Sequence, residues 1–222
     1  MIGSAMKIAI IGAGNVGTTL GRGWLRAGHQ VTYGAREPDS AKAQTLGQQG
    51  AGVRALRAAV EVAEVVVLAT PWSGAREALA ALGNLAGRPL LDATNPIGPG
   101  LSLAVGHVDS GGEQIQRWAP SARVVKVFNT TGLENMADPR FGSHAATMFY
   151  CGDDAEACRV AHGLAVDLGF EAVAAGPLRN ARLLEPLGML WIHLALVQGH
   201  GRGIALTLQR RGAPGSPPRS GP

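Results

Sequence analysis

From Lys7 to Ile11 the chain is a short apolar run. It passes through Gly12-Ala13-Gly14-Asn15-Val16-Gly17 into a stretch, Asn15 to Ala27, with helical character. A GxGxxG string is weak evidence in a chain with 32 glycines. Set between the end of a strand and the start of a helix, it becomes a strong constraint, because each glycine then has its own physical task. Gly12 permits the tight turn, Gly14 lets the backbone approach a pyrophosphate, and Gly17 lets the helix pack closely on the strand. The free N–H groups and positive dipole end of that helix attract phosphate. Gly28 closes the helix in the usual C-terminal position.

The rest of the chain extends the same pattern. Strands are expected at Gln30–Tyr33, Val65–Ala69, Pro89–Ala93, Val124–Phe128, Thr147–Cys151 and Glu171–Ala174. Helices are expected within Arg36–Gln49 and at Gly74–Leu82, Glu113–Trp118 and Asp154–Leu168. Ile97 to Gly112 reads as a long Gly-rich loop. From Asn180 one long apolar helix is expected to about Gln209, with a possible break between Gly199 and Gly203. This alternation predicts an α/β fold: a Rossmann-type, doubly wound, mostly parallel sheet with a small C-terminal helical portion. The expected division is a dinucleotide-binding Rossmann domain over 1–176, a helical segment over 177–209 and a disordered tail over 210–222.

Composition narrows the function classes. The chain has 222 residues, 46% hydrophobic and 16% charged, enough for one sizeable core. The net charge of +4 comes from scattered arginines, not from a basic stripe with interleaved aromatics, so no nucleic-acid partner is expected. No apolar run reaches the roughly 18 residues of a membrane helix, so no membrane partner is expected and the location should be cytoplasmic. Cys151 and Cys158 form no disulfide framework, and both read as buried thiols without activation. No metal-type cluster of Cys and His is present, and no metal site is expected.

The end of the second strand selects the dinucleotide. NAD sites usually carry Asp or Glu there, about 20 residues after the glycine motif. This chain carries Gly34-Ala35-Arg36, and a guanidinium can clamp a 2′-phosphate with paired hydrogen bonds, which favours NADP. Glu37 is the neighbour that would oppose this reading if it faced the ribose. Three further strand tips offer small polar groups to a nicotinamide or ribose: Thr70-Pro71-Trp72, Thr94-Asn95-Pro96 and Asn129-Thr130-Thr131. Turn chemistry accounts for any one of them equally well. Trp72, Trp118 and Trp191 read as core.

A dedicated acid or base is hard to find. Neither Tyr33 nor Tyr150 has a lysine four residues on, and the only lysines are Lys7, Lys42 and Lys126. His193 and Glu185 are the other titratable candidates, and both are better read as satisfied within a helix. No residue is assigned as catalytic. That inventory suits direct hydride transfer between two cofactor rings, where the protein supplies binding, orientation and exclusion of water.

On these residues the chain resembles the NADPH-dependent reductases of coenzyme F420. The matching segments are Gly12 to Gly17, Gly28-His29, Gly34-Ala35-Arg36, Pro71-Trp72, Cys151-Gly152-Asp153-Asp154 and Ala175 to Glu185. The resemblance covers most of residues 6–198. It implies NADP(H) binding by Gly12, Ala13, Gly14, Asn15, Val16 and Gly17, and by Ala35 and Arg36 where the family carries Ser-Arg. Ser40 stands where the family has a further basic residue, and Asn129 where the archaeal reductases have His. Thr70, Pro71, Asn95 and Asn129 complete the expected cofactor-binding set. The implied activity is hydride exchange between NADPH and coenzyme F420 by stacking of the two rings. Arg179 and Arg182 are candidates for the anionic tail of F420, and a homodimer is expected. Two other readings stay open: an NADPH-dependent reductase of a flavin, ferric iron or an imine, and a non-catalytic NADP(H) sensor.

Overall fold

The structure is a computed structural model that describes residues 4–211. Eight strands form one sheet: β1 Lys7–Ile11, β2 Gln30–Ala35, β3 Gly52–Ala55, β4 Val65–Leu68, β5 Pro89–Asp92, β6 Arg123–Lys126, β7 Thr147–Gly152 and β8 Glu171–Ala174. Their spatial order is β8-β7-β6-β5-β4-β1-β2-β3. Every pairing is parallel except β6 with β7. The six strands from β3 to β6 thus have the order 3-2-1-4-5-6 of a dinucleotide-binding sheet, which reverses between β1 and β4.

Among the described residues, eight α-helices accompany the strands: α1 Asn15–Arg26, α2 Ala41–Gln48, α3 Leu56–Glu61, α4 Trp72–Leu82, α5 Gly111–Trp118, α6 Leu133–Ala137, α7 Ala155–Asp167 and α8 Ala181–Ile192. Strand alternation sends Ile8, Ile10, Val65, Val67, Leu91 and Val125 to one face, where Leu20 and Trp24 of α1 and Leu164 of α7 meet them. Ala9, Ile11, Val66, Leu68, Leu90 and Val124 go to the other face, against Ala75 and Leu79 of α4 and Ile115 of α5. Val65 to Leu68 are fully buried on both sides, as their unbroken β-branched and Leu sequence requires. Each such side chain contributes about 1.5–3 kcal/mol. The Trp24 indole N–H donates to the Leu164 carbonyl at 2.9 Å, so the buried ring leaves no orphan donor.

Several expectations are corrected here. The stretch between Gln49 and Val65, for which no element was expected, holds β3 and α3 at the far edge of the sheet. The Gly-rich segment from Ile97 contains a small antiparallel pair, Ile97–Gly98 with Ser102–Leu103, and its end already belongs to α5. The expected long C-terminal helix stops at Ile192, continues as a π-helical turn over His193–Val197, and then gives way to extended chain. Tertiary hydrogen bonds outcompete helical ones in that last segment. The Ile204 carbonyl accepts from the Trp191 indole at 2.8 Å and from Asn135 Nδ2 at 2.7 Å. Thr147 N donates to the Leu206 carbonyl at 3.1 Å, and Leu208 N to Thr147 Oγ1 at 2.9 Å. The strap therefore occupies the start of β7, where that strand has diverged from β6. The tail expected from residue 210 lies outside the described residues beyond Arg211.

The strap carries an expected result. Truncation after Gly203 removes the acceptor of two buried donors, and each orphan costs about 1–3 kcal/mol. Thermal denaturation followed by circular dichroism should show a melting point lower by several degrees. An unchanged melting point would show that the strap contributes nothing.

Candidate functional site

At the carboxyl ends of β1, β2, β4 and β5 runs a cleft in two parts. One part, of about 620 Å3, is lined by Gly12, Ala13, Ala35, Arg36, Ser40 and Lys42 among others. The second, of about 450 Å3, is lined by Gly14, Asn15, Val16, Trp72, Thr94 and Asn95 among others. Thr70, Pro71 and Ser73 border both, so the two parts meet at the tip of β4, on the switch point of the sheet. A more open groove of about 700 Å3 lies at the opposite end, between the C-terminal ends of α1 and α7. Helix carbonyl ends repel phosphate, so the two-part cleft is the better dinucleotide site despite its smaller compartments.

The glycine turn fits a pyrophosphate by three separate observations. Gly12 has φ +109°, and a Cβ there would stand 2.5 Å from the Ala69 carbonyl oxygen. A Cβ on Gly17 would run into the Gly12 carbonyl, which is the close helix–strand approach expected of the third glycine. Gly14 has φ −77°, and a Cβ there would meet nothing within 4 Å. Neither backbone strain nor packing requires glycine at that position; open space above it is what a close-lying ligand needs. Helices α2, α5 and α7 start with the side chains of Ser40, Ser110 and Asp154 accepting a first-turn N–H. The N-terminus of α1 has no side-chain cap and no acidic residue in its first turn, and α4 is alike in both respects. Both face the cleft, so the uncapped amides are presented to an anion.

Ala35 and Arg36 lie at the far end of the first part. Arg36 is 84% exposed, 4.0 Å from the equally exposed Glu77. Glu37 lines the same rim. Ser40 spends its hydroxyl on capping α2, accepting from Ala43 N. Lys42 lines this part as well and was not among the sequence candidates. Its position in the first turn of α2, two residues after a Ser cap, is the signal that could have found it.

The second part is built from strand tips. Thr70, Pro71, Thr94 and Asn95 line it as expected. Asn129 does not: it is buried behind Asn95, donating through Nδ2 to Asn95 Oδ1 at 3.2 Å and to the Leu184 carbonyl at 2.9 Å. Asn95 Nδ2 returns a bond to the Asn129 carbonyl at 2.9 Å. Phe128, the residue before it, is held at φ +63°. Trp24 meets the Phe128 ring edge-on at 5.6 Å, and Met148 Sδ accepts from its N–H. Such a conformation in a bulky residue costs about 1–3 kcal/mol and persists because the packing fixes it. Gly188 of α8 lies on this pair, since a Cβ there would stand 2.5 Å from the Asn129 carbonyl oxygen.

Trp72 departs from the core reading. Its ring stacks on Trp118 at 5.3 Å and 30°, with the Arg76 guanidinium 5.9 Å from the Trp118 ring centroid, and it lines the second part of the cleft. Trp191 is buried as expected.

Behind the cleft wall sits an ion cluster. Lys126 Nζ lies 2.8 Å from Asp92 Oδ2 and 2.9 Å from Glu185 Oε1, and donates to the Thr94 carbonyl at 2.7 Å. The three charged side chains are at most 1% exposed. Burial by itself would push the Lys126 ammonium down, but Asp92 and Glu185 outweigh it and hold it above the ordinary lysine value. Asp92 Oδ1 accepts from Thr94 N at 2.9 Å and Thr94 Oγ1 at 2.7 Å. Glu185 accepts from Gly111 N at 2.8 Å and Gly112 N at 2.9 Å, so a residue of α8 holds the start of α5. Glu185 is satisfied inside the protein, as the sequence reading had it, but by partners outside its own helix.

The remaining titratable candidates are elsewhere. Arg182 is engaged by Glu113 through two bonds of 2.8 and 2.7 Å. Arg182 in turn holds the Glu113 carboxyl below its usual range. Arg179 is exposed in a short 3-10 turn. His193 is exposed beside Gln198 and lines neither part of the cleft. Cys151 is buried, which pushes its thiol up to about 12, and Cys158 is half-buried with its thiol raised by burial. Neither is activated. Among the described residues, no helix is long and apolar enough to cross a membrane.

Comparison with known proteins agrees with this geometry. The sequence profile described as NADP oxidoreductase, coenzyme F420-dependent, matches residues 7–96. An F420-dependent NADP reductase from Methanothermobacter marburgensis is 30% identical over 209 residues, covering 85% of this chain and 92% of the relative. A solved structure from Arthrobacter sp. FB24, provisionally described as an F420-dependent NADP reductase, superposes with a TM-score of 0.83 at 34% identity, over 93% of this chain and 100% of that one. A reductive aminase from Aspergillus terreus shares the fold at 24% identity and a TM-score of 0.64, over 88% of this chain and 63% of that one. The strand–glycine turn–helix unit, the order of the sheet and the near full-length likeness converge: the chain belongs to the NADP oxidoreductase, coenzyme F420-dependent family.

Proposed function

We propose that the protein transfers a hydride between NADPH and a deazaflavin of the coenzyme F420 type, with the two rings stacked in the second part of the cleft. The carrying observation is the lining of that part: Gly14, Asn15, Val16, Ala69, Thr70, Pro71, Trp72, Ser73, Ala93, Thr94, Asn95 and Ile97 include no group that titrates near neutral pH. Reduction of a ketone or imine needs a proton delivered to oxygen or nitrogen beside the transferred hydride. A deazaflavin would take the hydride on a ring carbon and a proton on a ring nitrogen that water can protonate, so no protein acid would be needed: NADPH, acceptor and one proton give NADP+ and reduced acceptor. The protein's share is to orient the rings and keep water from between them. Trp72 supplies a flat apolar wall, and Asn95, held in place by Asn129 behind it, supplies a polar edge for a carboxamide. The relatives named as F420-dependent NADP reductases support the same assignment.

The pyrophosphate would rest on the α1 amides, with the adenosine end in the part lined by Ala35 and Arg36. Ala35 offers no hydroxyl to a 2′-phosphate, so discrimination rests on Arg36 with Lys42 alongside. Arg36→Ala should reduce the preference for NADPH over NADH about tenfold, the equivalent of one charged hydrogen bond. Paired kcat/KM measurements with the two nucleotides check this, and an unchanged ratio would remove Arg36 from the phosphate site.

The exposed side of α8, with Leu183 and Leu190 and the half-buried Leu187 between them at spacings of four and three, supports a homodimer that pairs this helix with its copy. Light scattering should give twice the chain mass; one chain mass would refute the pairing.

Loss of the visible deazaflavin absorbance with NADPH and coenzyme F420 tests the main reading. Turnover with F420 and not with FMN is expected. NADPH binding without bleaching would overturn the acceptor assignment and leave a reductase of another acceptor, or the sensor.

A further inference from the structure

We propose that the Asp92–Lys126–Glu185 cluster holds an uncompensated negative charge behind the nicotinamide end of the cleft, and that this charge favours NADP+ over NADPH in the bound state. The inference rests on the reading of the cleft as an NADP(H) site and is independent of the acceptor.

The charge count follows from the contacts. Every hydrogen bond made by the two carboxyls is accepted from a donor: Thr94 N and Oγ1 and Lys126 for Asp92, Gly111 N, Gly112 N and Lys126 for Glu185. All of these partners but the Thr94 hydroxyl are N–H groups or an ammonium, which only donate, so the surroundings are built to hold two carboxylates. Lys126 is the only cation within salt-bridge distance of either one among the described residues. One ammonium between two carboxylates leaves one excess negative charge. The amides at the start of α5 return about half a positive charge, on the Glu185 side.

The excess matters because of where it lies. Asp92 is bonded through both Thr94 N and Thr94 Oγ1, and Thr94 itself lines the second part of the cleft. A single residue therefore separates the cluster from the bound ring. Water is excluded from the cluster, and a charge there acts at lower effective dielectric than one in solvent. Hydride departure turns the neutral dihydronicotinamide into a cation, so a fixed negative charge nearby stabilises product over reactant. A cluster serving packing alone would be complete with one carboxylate, since the second leaves a net buried charge that is costly to keep.

The test measures two dissociation constants, NADPH by fluorescence and NADP+ by calorimetry, for the wild type and for Glu185→Gln and Asp92→Asn. Each variant removes one negative charge. Kd(NADP+)/Kd(NADPH) should rise about fivefold in each variant that folds. A packing role alone would weaken both nucleotides together, so an unmoved ratio in a folded variant overturns the inference. Should neither variant fold, the wild type still decides. NADP+ is expected to bind at least as tightly as NADPH, and a tenfold preference for NADPH would overturn the proposal. Failure of both nucleotides to bind the wild type would refute the cleft assignment instead.

Discussion

Lys126→Met is expected to destabilise the protein by about 3–5 kcal/mol, the cost of leaving a buried charge without its partner. The substitution keeps the aliphatic stem and removes the ammonium, so Asp92 and Glu185 would face each other unpaired in a site with no solvent. The effect should spread through the tertiary structure. Asp92 fixes the Thr94 turn, and Glu185 joins α8 to the start of α5, so both attachments loosen together. Denaturant titration followed by circular dichroism reads the loss directly. A cost under 1 kcal/mol would mean that the carboxylates find water or protons in the folded state. The pH dependence has a definite sign: a lysine whose folded value is raised contributes stability below its unfolded value, and that stability is lost as pH rises through the higher folded value. The Lys126 contribution should therefore persist across the neutral range and be lost in strong alkali.

Gly14→Asp should have the opposite profile, with stability retained and nucleotide binding lost. Gly14 has ordinary negative φ and open space where a side chain would go, so the apo fold tolerates the substitution. A carboxylate there occupies the space a pyrophosphate needs and presents like charge to it. NADPH affinity should fall at least about a hundredfold, equivalent to roughly 2.7 kcal/mol, with a melting temperature within a few degrees of wild type. Gly12→Ala gives the contrast. Its φ of +109° and its 2.5 Å approach to the Ala69 carbonyl mean that folding suffers before any ligand is added. If Gly14→Asp bound NADPH normally, the phosphates would not lie on the α1 N-terminus, and the cleft would need another occupant.

The glycine-turn half of the cleft was legible because its determinants are local. Gly12, Gly14 and Gly17 lie within one turn, the strand precedes them directly and the helix follows. The tips carrying Thr70, Pro71 and Asn95 were legible by the same logic, since a strand's carboxyl end is marked by where its apolar run stops. The acceptor end was less so. Trp72 read as core because composition does not say which side of a tryptophan will be covered, and in the fold Trp118 takes one side while the ring still borders the cleft. Asn129 read as a contact residue from its place at a strand tip. The turn into Phe128's left-handed conformation instead points it at Asn95 and α8. The pairing of Arg182 with Glu113 was not legible because the two lie 69 residues apart in the chain.

Sequence by itself determined the alternation of strands and helices apart from β3, α3 and α6, the glycine turn after β1 and the lack of a carboxylate at the β2 tip, because each is written in residues a few positions apart. Tertiary structure alone decided the ion cluster, the strap and the end of the C-terminal helix. Asp92 and Lys126 are 34 residues apart, and Gly111 and Glu185 are 74. Periodicity predicted helix beyond Ile192, but Trp191 and Asn135 need an acceptor there, and the Ile204 carbonyl reaches both only from an extended chain. Burying an unpaired donor costs more than helix propensity returns over the same residues, so the distant partners prevail over the local preference.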